Sequence, residues 1–172
     1  IKPNTQAYVL AALTYNQVAV ISQASDQIAA RIPIAGNVST HSVAVTPDGT
    51  RAYVSLRSGH GLALIDMAAL QEVDLDPSTS TIDHLQLPFD SQPFWLTMDK
   101  GGKLLYVSDE LSSRIYIVDV DPQSTNYHQF TTMAVSSALN GLRGMDVSAD
   151  GRRLYIAAPA PVDLANSPVG YG

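Results

Sequence analysis

LLYVSDELSSRIYIVDV (residues 104–120) sets two β-branched and aromatic runs on either side of a short polar turn. Runs of that composition around a Ser/Asp-rich break read as two antiparallel strands. Whether this hairpin stands alone or recurs decides the fold, because a fixed period of tens of residues means a repeat architecture.

It recurs. TPDGTRAYVS (46–55) runs into the turn LRSGHG and then LALIDM (62–67), and SADGRRLYIA (148–157) leads into a proline-rich loop. Near the start, PNTQAYVL (3–10) precedes ALTYNQ and VAVIS (18–22). The anchoring tyrosines are Tyr8, Tyr53, Tyr106 and Tyr155, at spacings of 45, 53 and 49 residues. Gly49, Gly102 and Gly151 each stand four residues before a tyrosine, and Asn4 takes that place in the first copy. Gly or Asn there predicts a tight turn with positive φ. An apolar segment precedes each glycine: HSVAVT (41–46), FWLTMD (94–99) and RGMDVS (143–148). Another closes each unit: IAARIPI (28–34), IDHLQLP (82–88) and YHQFTTMAV (127–135).

Each full unit therefore predicts four strands: inner strand, glycine turn, tyrosine strand, third strand and outer strand. No window carries a 3.6-residue apolar stripe, so almost no helix is expected, with single turns at 67–73 and 135–141 as the exceptions. The strands are apolar on both faces, as in sheets covered on both sides. Such sheets repeated every 40–50 residues make an all-β protein, a β-propeller of four-stranded antiparallel blades. A β-sandwich with accidental repetition is the competing reading, and the fixed register of tyrosine and glycine argues against it.

Blade boundaries are expected near 1–40, 41–92, 93–141 and 142–172, with 13 strands in all. A closed ring of 4–8 blades at about 50 residues each needs roughly 200–400 residues. The 172 residues therefore predict an incomplete ring of about three to four blades. The terminal blades would leave open edges and apolar faces, which favour self-association.

The stretches DGTRAYVSLRSGHGLALID and GGKLLYVSDELSSRIYIVDV resemble the YVTN-type β-propeller repeat of surface-layer-like and other secreted bacterial and archaeal proteins. The resemblance covers essentially the whole chain. The asparagine of the family's tetrapeptide is absent: the four copies read YVLA, YVSL, YVSD and YIAA. The resemblance implies a propeller located extracellularly, on the cell surface or in the periplasm. It carries little about chemistry, because one fold hosts many functions.

Composition excludes several classes. Net charge is −6, which disfavours nucleic-acid binding, and no basic run suits an anionic membrane patch. There is no cysteine, which removes disulfides, zinc thiolates and thiol nucleophiles. No apolar run approaches 18 residues, so no membrane span is predicted. There is no G-x-S-x-G, Walker or G-x-G-x-x-G motif, and no cofactor is expected. Asn37-Val38-Ser39 is a glycosylation sequon.

Inner strands line a propeller's channel, and their first residues meet at one mouth. Counting eight residues back from each glycine places His41, Phe94 and Arg143 there, with Trp95 next to Phe94 and Asp146 a lone charge in an apolar strand. A histidine, an arginine, an aspartate and two aromatics from successive blades form the best candidate ligand site. The blander reading has Asp146 facing water or pairing with Arg143 and the aromatics packing between blades. The hairpin turns at the same mouth carry Tyr15, Arg57, His60 and Arg114, residue types suited to a protein-binding surface or simply to solvated turns. His84 and His128 begin outer strands, and no shared metal site is expected among the histidines. DLDPSTSTID (74–83) and DVDPQSTN (119–126) could offer oxygen ligands to calcium, but Asp and Pro here read as turn formers. Asp66 and Asp119 end third strands, where a local hydrogen bond is the expected role.

Three functions remain, one of them a purely structural unit, a spacer within a large repetitive surface protein. The first is a non-catalytic extracellular platform for a protein or glycan partner, within a larger surface or secreted protein. The alternative is a propeller enzyme or enzyme subunit, similar to lactonase-like hydrolases or the heavy chains of quinone-dependent amine dehydrogenases. There the channel mouth holds the site, and His41, Arg143 and Asp146 are the residues to test, with the histidine as general base and the arginine holding an anionic group.

Overall fold

The computed structural model describes residues 7–135 and 141–159. Among them are fourteen strands and no helix, in four antiparallel sheets. The first sheet holds β1 (Tyr8–Leu13), β2 (Gln17–Ser22) and β3 (Gln27–Pro33). The second holds β4 (Thr40–Val45), β5 (Arg51–Leu56), β6 (Gly61–Asp66), β7 (Gln71–Val73) and β8 (Leu85–Gln86). The third holds β9 (Pro93–Met98), β10 (Leu104–Asp109), β11 (Arg114–Asp119) and β12 (Phe130–Ala134), and the fourth β13 (Met145–Val147) and β14 (Leu154–Ile156). This is part of a β-propeller, one sheet per repeat. Asn4, most of 135–141 and the tail from 160 lie outside the described residues.

The glycine turns form as expected: Gly49, Gly102 and Gly151 have φ of +69°, +67° and +71°. The aspartate before Gly49 and Gly151 does part of the work. Asp48 accepts from the Thr50 amide at 3.1 Å and Asp150 from the Arg152 amide at 3.1 Å, closing the hairpins locally.

Alternation along each tyrosine strand sends successive side chains to opposite neighbours. On β5, Ala52, Val54 and Leu56 pack with Val18, Val20, Ile32 and Ile34 of the first sheet. Tyr53 faces the other way, into a core with Leu96, Leu105, Val107 and Tyr116 of the third sheet. Both faces of the second sheet are thus covered, and the side chains of 52–56 are all buried. Burying each large one stabilises the interblade seam by about 1.5–3 kcal/mol. Ile115, Leu142 and Met145 join the third and fourth sheets.

The second sheet departs from the four-strand expectation. One outer strand at 82–88 was expected; instead the outer position is divided between β7 and the two-residue β8, both paired with β6. The single helical turn expected over 67–73 is a turn at 67–70 followed by β7. Asp66 closes that turn by accepting from the Ala68 and Ala69 amides at 2.8 and 3.0 Å. Asp119 does the same in the third sheet, accepting from the Asp121 amide at 3.0 Å and the Ser124 hydroxyl at 2.6 Å. The Asp-x-Asp-Pro loop uses its carboxylates likewise, Asp74 accepting from the amides of Asp76 and Asp83. No group of three or more potential metal-binding residues occurs among the described residues, and no helix there is long and apolar enough to cross a membrane.

Candidate functional site

Three inner-strand starts carry the site. His41 lies on β4, Phe94 on β9, and Arg143 just before β13. Their backbone is tied together by a serine two residues after Tyr53 and another two residues after Tyr106. Ser55 accepts from the Ser42 amide at 2.8 Å and donates to the Phe94 carbonyl at 2.9 Å. Ser108 accepts from the Trp95 amide at 3.0 Å and donates to the Arg143 carbonyl at 2.9 Å. Both serines are fully buried. Each hydroxyl therefore ties its own inner strand to the mouth residue of the next blade. A small hydroxyl is the side chain that can accept and donate at once in that space.

At the mouth the His41 imidazole stacks on the Phe94 ring, with centroids 3.8 Å apart and planes 28° apart. The Arg143 guanidinium lies 5.3 Å from the centroid of the same ring. Glu110, in the β10–β11 turn, completes the cluster. Its carboxylate accepts from Arg57 Nε and lies 3.9 Å from an Arg143 nitrogen. Arg143 also donates to the Glu110 carbonyl at 3.1 Å. The Glu110 side chain is 14% exposed, whereas Arg57 and Arg143 remain 47% and 39% exposed. The arginines thus present exposed guanidinium surface while the carboxylate is mostly covered.

Burial against Phe94 lowers the His41 pKa below its ordinary value, Glu110 opposes that shift, and Arg57 and Arg143 reinforce it. His41 is otherwise exposed, so its cover is the stack on Phe94. The outcome is a neutral imidazole at neutral pH, placed beside two guanidinium groups.

The structure brings His41, Phe94, Arg143 and Arg57 together and sets the other sequence candidates apart. Trp95 follows Phe94 on the strand and so faces the opposite way. Its indole nitrogen donates to the Met145 carbonyl at 3.0 Å, and it lines an open hollow with Asp146 and Tyr155. Asp146 accepts from the neighbouring Val147 amide at 2.8 Å; the carboxylate that Arg143 meets is that of Glu110, not of Asp146. Tyr15 is 83% exposed at a turn tip. His60 bonds the Ser91 carbonyl at 2.6 Å and leans on exposed Phe89, while Arg114 pairs with Asp90 at 2.9 Å. His128 bonds the Tyr53 hydroxyl at 3.0 Å, and His84 bonds Glu72 at 2.8 Å.

Glu110 is the residue that sequence reading missed. A signal existed: of sixteen acidic residues only Glu72 and Glu110 are glutamates. Both side chains are largely buried against a basic group.

No curated protein matches the sequence. Among solved structures, an assigned 6-phosphogluconolactonase of Bacteroides uniformis superposes with a TM-score of 0.66 at 19% identity, over 90% of this chain and 48% of that one. Hydrazine synthase of Kuenenia stuttgartiensis superposes with a TM-score of 0.64 at 19% identity, over 82% of this chain and 35% of that one. At this identity the likeness is one of fold, and the chain spans half or less of either structure. The lactonase family of seven-bladed β-propellers matches residues 6–140, well over half of the sequence. The chain belongs to that family.

Proposed function

We propose that the channel mouth hydrolyses a lactone carrying a negative charge. One observation carries the reading: His41, stacked on Phe94, stands beside two arginines that share one largely covered glutamate. Family membership supports it and favours the catalytic alternative over the non-catalytic platform. In the proposed step, neutral His41 takes a proton from water as the water oxygen bonds to the lactone carbonyl carbon. A free donor of Arg57 or Arg143 holds the oxyanion that forms. The ring C–O bond then breaks, and the leaving alkoxide takes the proton back from the imidazolium, giving a hydroxy acid. The other arginine binds the substrate's anionic group, and Glu110 keeps both guanidinium groups in place.

The test is acid release by the full-length protein on phosphorylated and unphosphorylated sugar δ-lactones, followed by pH-stat and corrected for spontaneous hydrolysis. Replacing His41 by Asn should lower kcat by about 10²–10⁴-fold. Replacing Arg143 by Met should act mainly on the charged lactone. Undiminished turnover in the His41→Asn protein would remove the mechanism. The resemblance to secreted YVTN-type propellers fits such a hydrolase working outside the cytoplasm, and fractionation of the native host tests that placement.

A further inference from the structure

Asp109 precedes Glu110 and occupies the fourth position of the tyrosine tetrapeptide. The other three copies hold Ala11, Leu56 and Ala158 there. The one copy with an ionisable side chain is the copy whose turn supplies Glu110. Asp109 is fully buried. Its Oδ1 accepts from the amides of Gln92 at 3.2 Å and Leu111 at 3.0 Å, and its Oδ2 from the hydroxyls of Ser112 at 2.8 Å and Tyr116 at 3.0 Å. These donors come from the approach to β9, the β10–β11 turn and β11. They brace the turn from both sides of Glu110.

The same residue reaches the next blade through its backbone. Its carbonyl accepts from the Leu142 amide at 2.7 Å, one residue before Arg143. Glu110 continues the seam, its amide donating to the Gln92 carbonyl at 2.9 Å and its carbonyl accepting from Arg143. We infer that Asp109 is a positioning residue: its buried side chain fixes the β10–β11 turn so that Glu110 holds Arg57 and Arg143 around His41. A catalytic consequence rests on the lactonase reading; the geometric claim does not.

Asparagine separates shape from charge at this position. It can accept the two amides through its oxygen and donate to the two hydroxyls through its nitrogen. Alanine leaves all four donors without a partner. The experiment compares Asp109→Ala, Asp109→Asn and wild type in the full-length protein by two readouts. The first is the Arg57 Nε–H resonance in a ¹H–¹⁵N spectrum, which Glu110 protects from exchange with water. The second is lactone turnover. The inference expects the Arg57 signal to vanish in Asp109→Ala and persist in Asp109→Asn. It expects kcat to fall by about 10²-fold in the alanine variant, with a smaller change in KM, and to be largely recovered in the asparagine variant. Persistence of the Arg57 signal in a folded Asp109→Ala protein overturns the inference. So does equal loss in both variants, which would assign the role to charge. If Asp109→Ala does not fold, Tyr116→Phe removes a single donor and decides the matter by partial broadening of the same signal or its absence. Wild-type protein without lactonase activity would overturn the functional reading alone, since the Arg57 signal still reports on Asp109.

Discussion

Acidification should loosen the seam between the second and third sheets before the carboxylates titrate, and His128 is the reason. Its Nε2 lies 3.0 Å from the hydroxyl of fully buried Tyr53, and its ring stacks on Tyr127 at 3.7 Å. Burial, aided by the charge of Arg51 and opposed by Asp119, lowers its pKa from 6.5 to about 4. Between those values the unfolded chain binds a proton that the folded chain refuses. Stability from this group is therefore complete above the unfolded value and is lost as pH falls from 6.5 towards 4. Between pH 7 and pH 5 the linkage amounts to about 2 kcal/mol without screening. The imidazole borders an open groove beside Gln129 and Phe130, so about 1 kcal/mol is the expected effect. The assay is urea unfolding followed by the fluorescence of the single tryptophan, Trp95, at pH 7, 6 and 5. The comparison is with His128→Asn, since asparagine tolerates the left-handed backbone here, φ +66°. Wild type should lose about 1 kcal/mol more than the variant across that range. Equal pH slopes in the two proteins, or a histidine resonance for residue 128 titrating above pH 6, would refute the argument.

Two further outcomes follow from the mouth. The acid limb of kcat/KM should lie below pH 6.5 because His41 is held neutral; Glu110→Gln should move it lower and Arg143→Met higher, as those charges respectively raise and lower the His41 pKa. Gly141 has φ +78°, and a Cβ there would stand 1.7 Å from the Glu110 carbonyl oxygen, so Gly141→Ala must displace the segment leading to Arg143. The conformational part alone costs about 1–2 kcal/mol. Urea unfolding should show at least that loss, and an unchanged midpoint would show that the turn adapts.

The turn glycines, the tyrosine strands and the mouth positions of His41, Phe94 and Arg143 were legible because they depend on local chemistry and a fixed period. Burial was not. Tyr53 is fully buried and Tyr155 is 57% exposed at the same motif position, because burial is supplied by the neighbouring sheet and not by the repeat itself. The grouping of Trp95 and Asp146 with Phe94 ignored the two-residue period of a strand, which turns Trp95 to the far side. The pairing of Glu110 with Arg57 spans 53 residues, about one repeat, and no local pattern signals it. The division of the outer strand into β7 and β8 was hidden for another reason. The apolar segment at 82–88 drew the outer strand to itself, while β7 is only the three residues Gln71–Val73, and Leu70, which reads as part of a helical turn, adopts φ +52° just before it.

The charge balance at the mouth runs against that of the chain. The protein carries a net charge of −6, yet the mouth gathers two arginines around one glutamate, with neutral His41 adding none. A net positive spot inside a negative surface acts as a local sink for small anions while the surrounding field repels polyanions. Glu110 is essential to that arrangement rather than opposed to it. Without the carboxylate, Arg57 and Arg143 would repel each other, and their side chains would spread into solvent. With it, one largely covered negative charge holds two positive charges that stay partly exposed. That geometry suits a substrate with two oxygen-rich centres, an anionic group and a carbonyl, separated by a small ring. Under the proposed lactonase reading, it gives the electrostatic reason for discrimination between charged and neutral lactones.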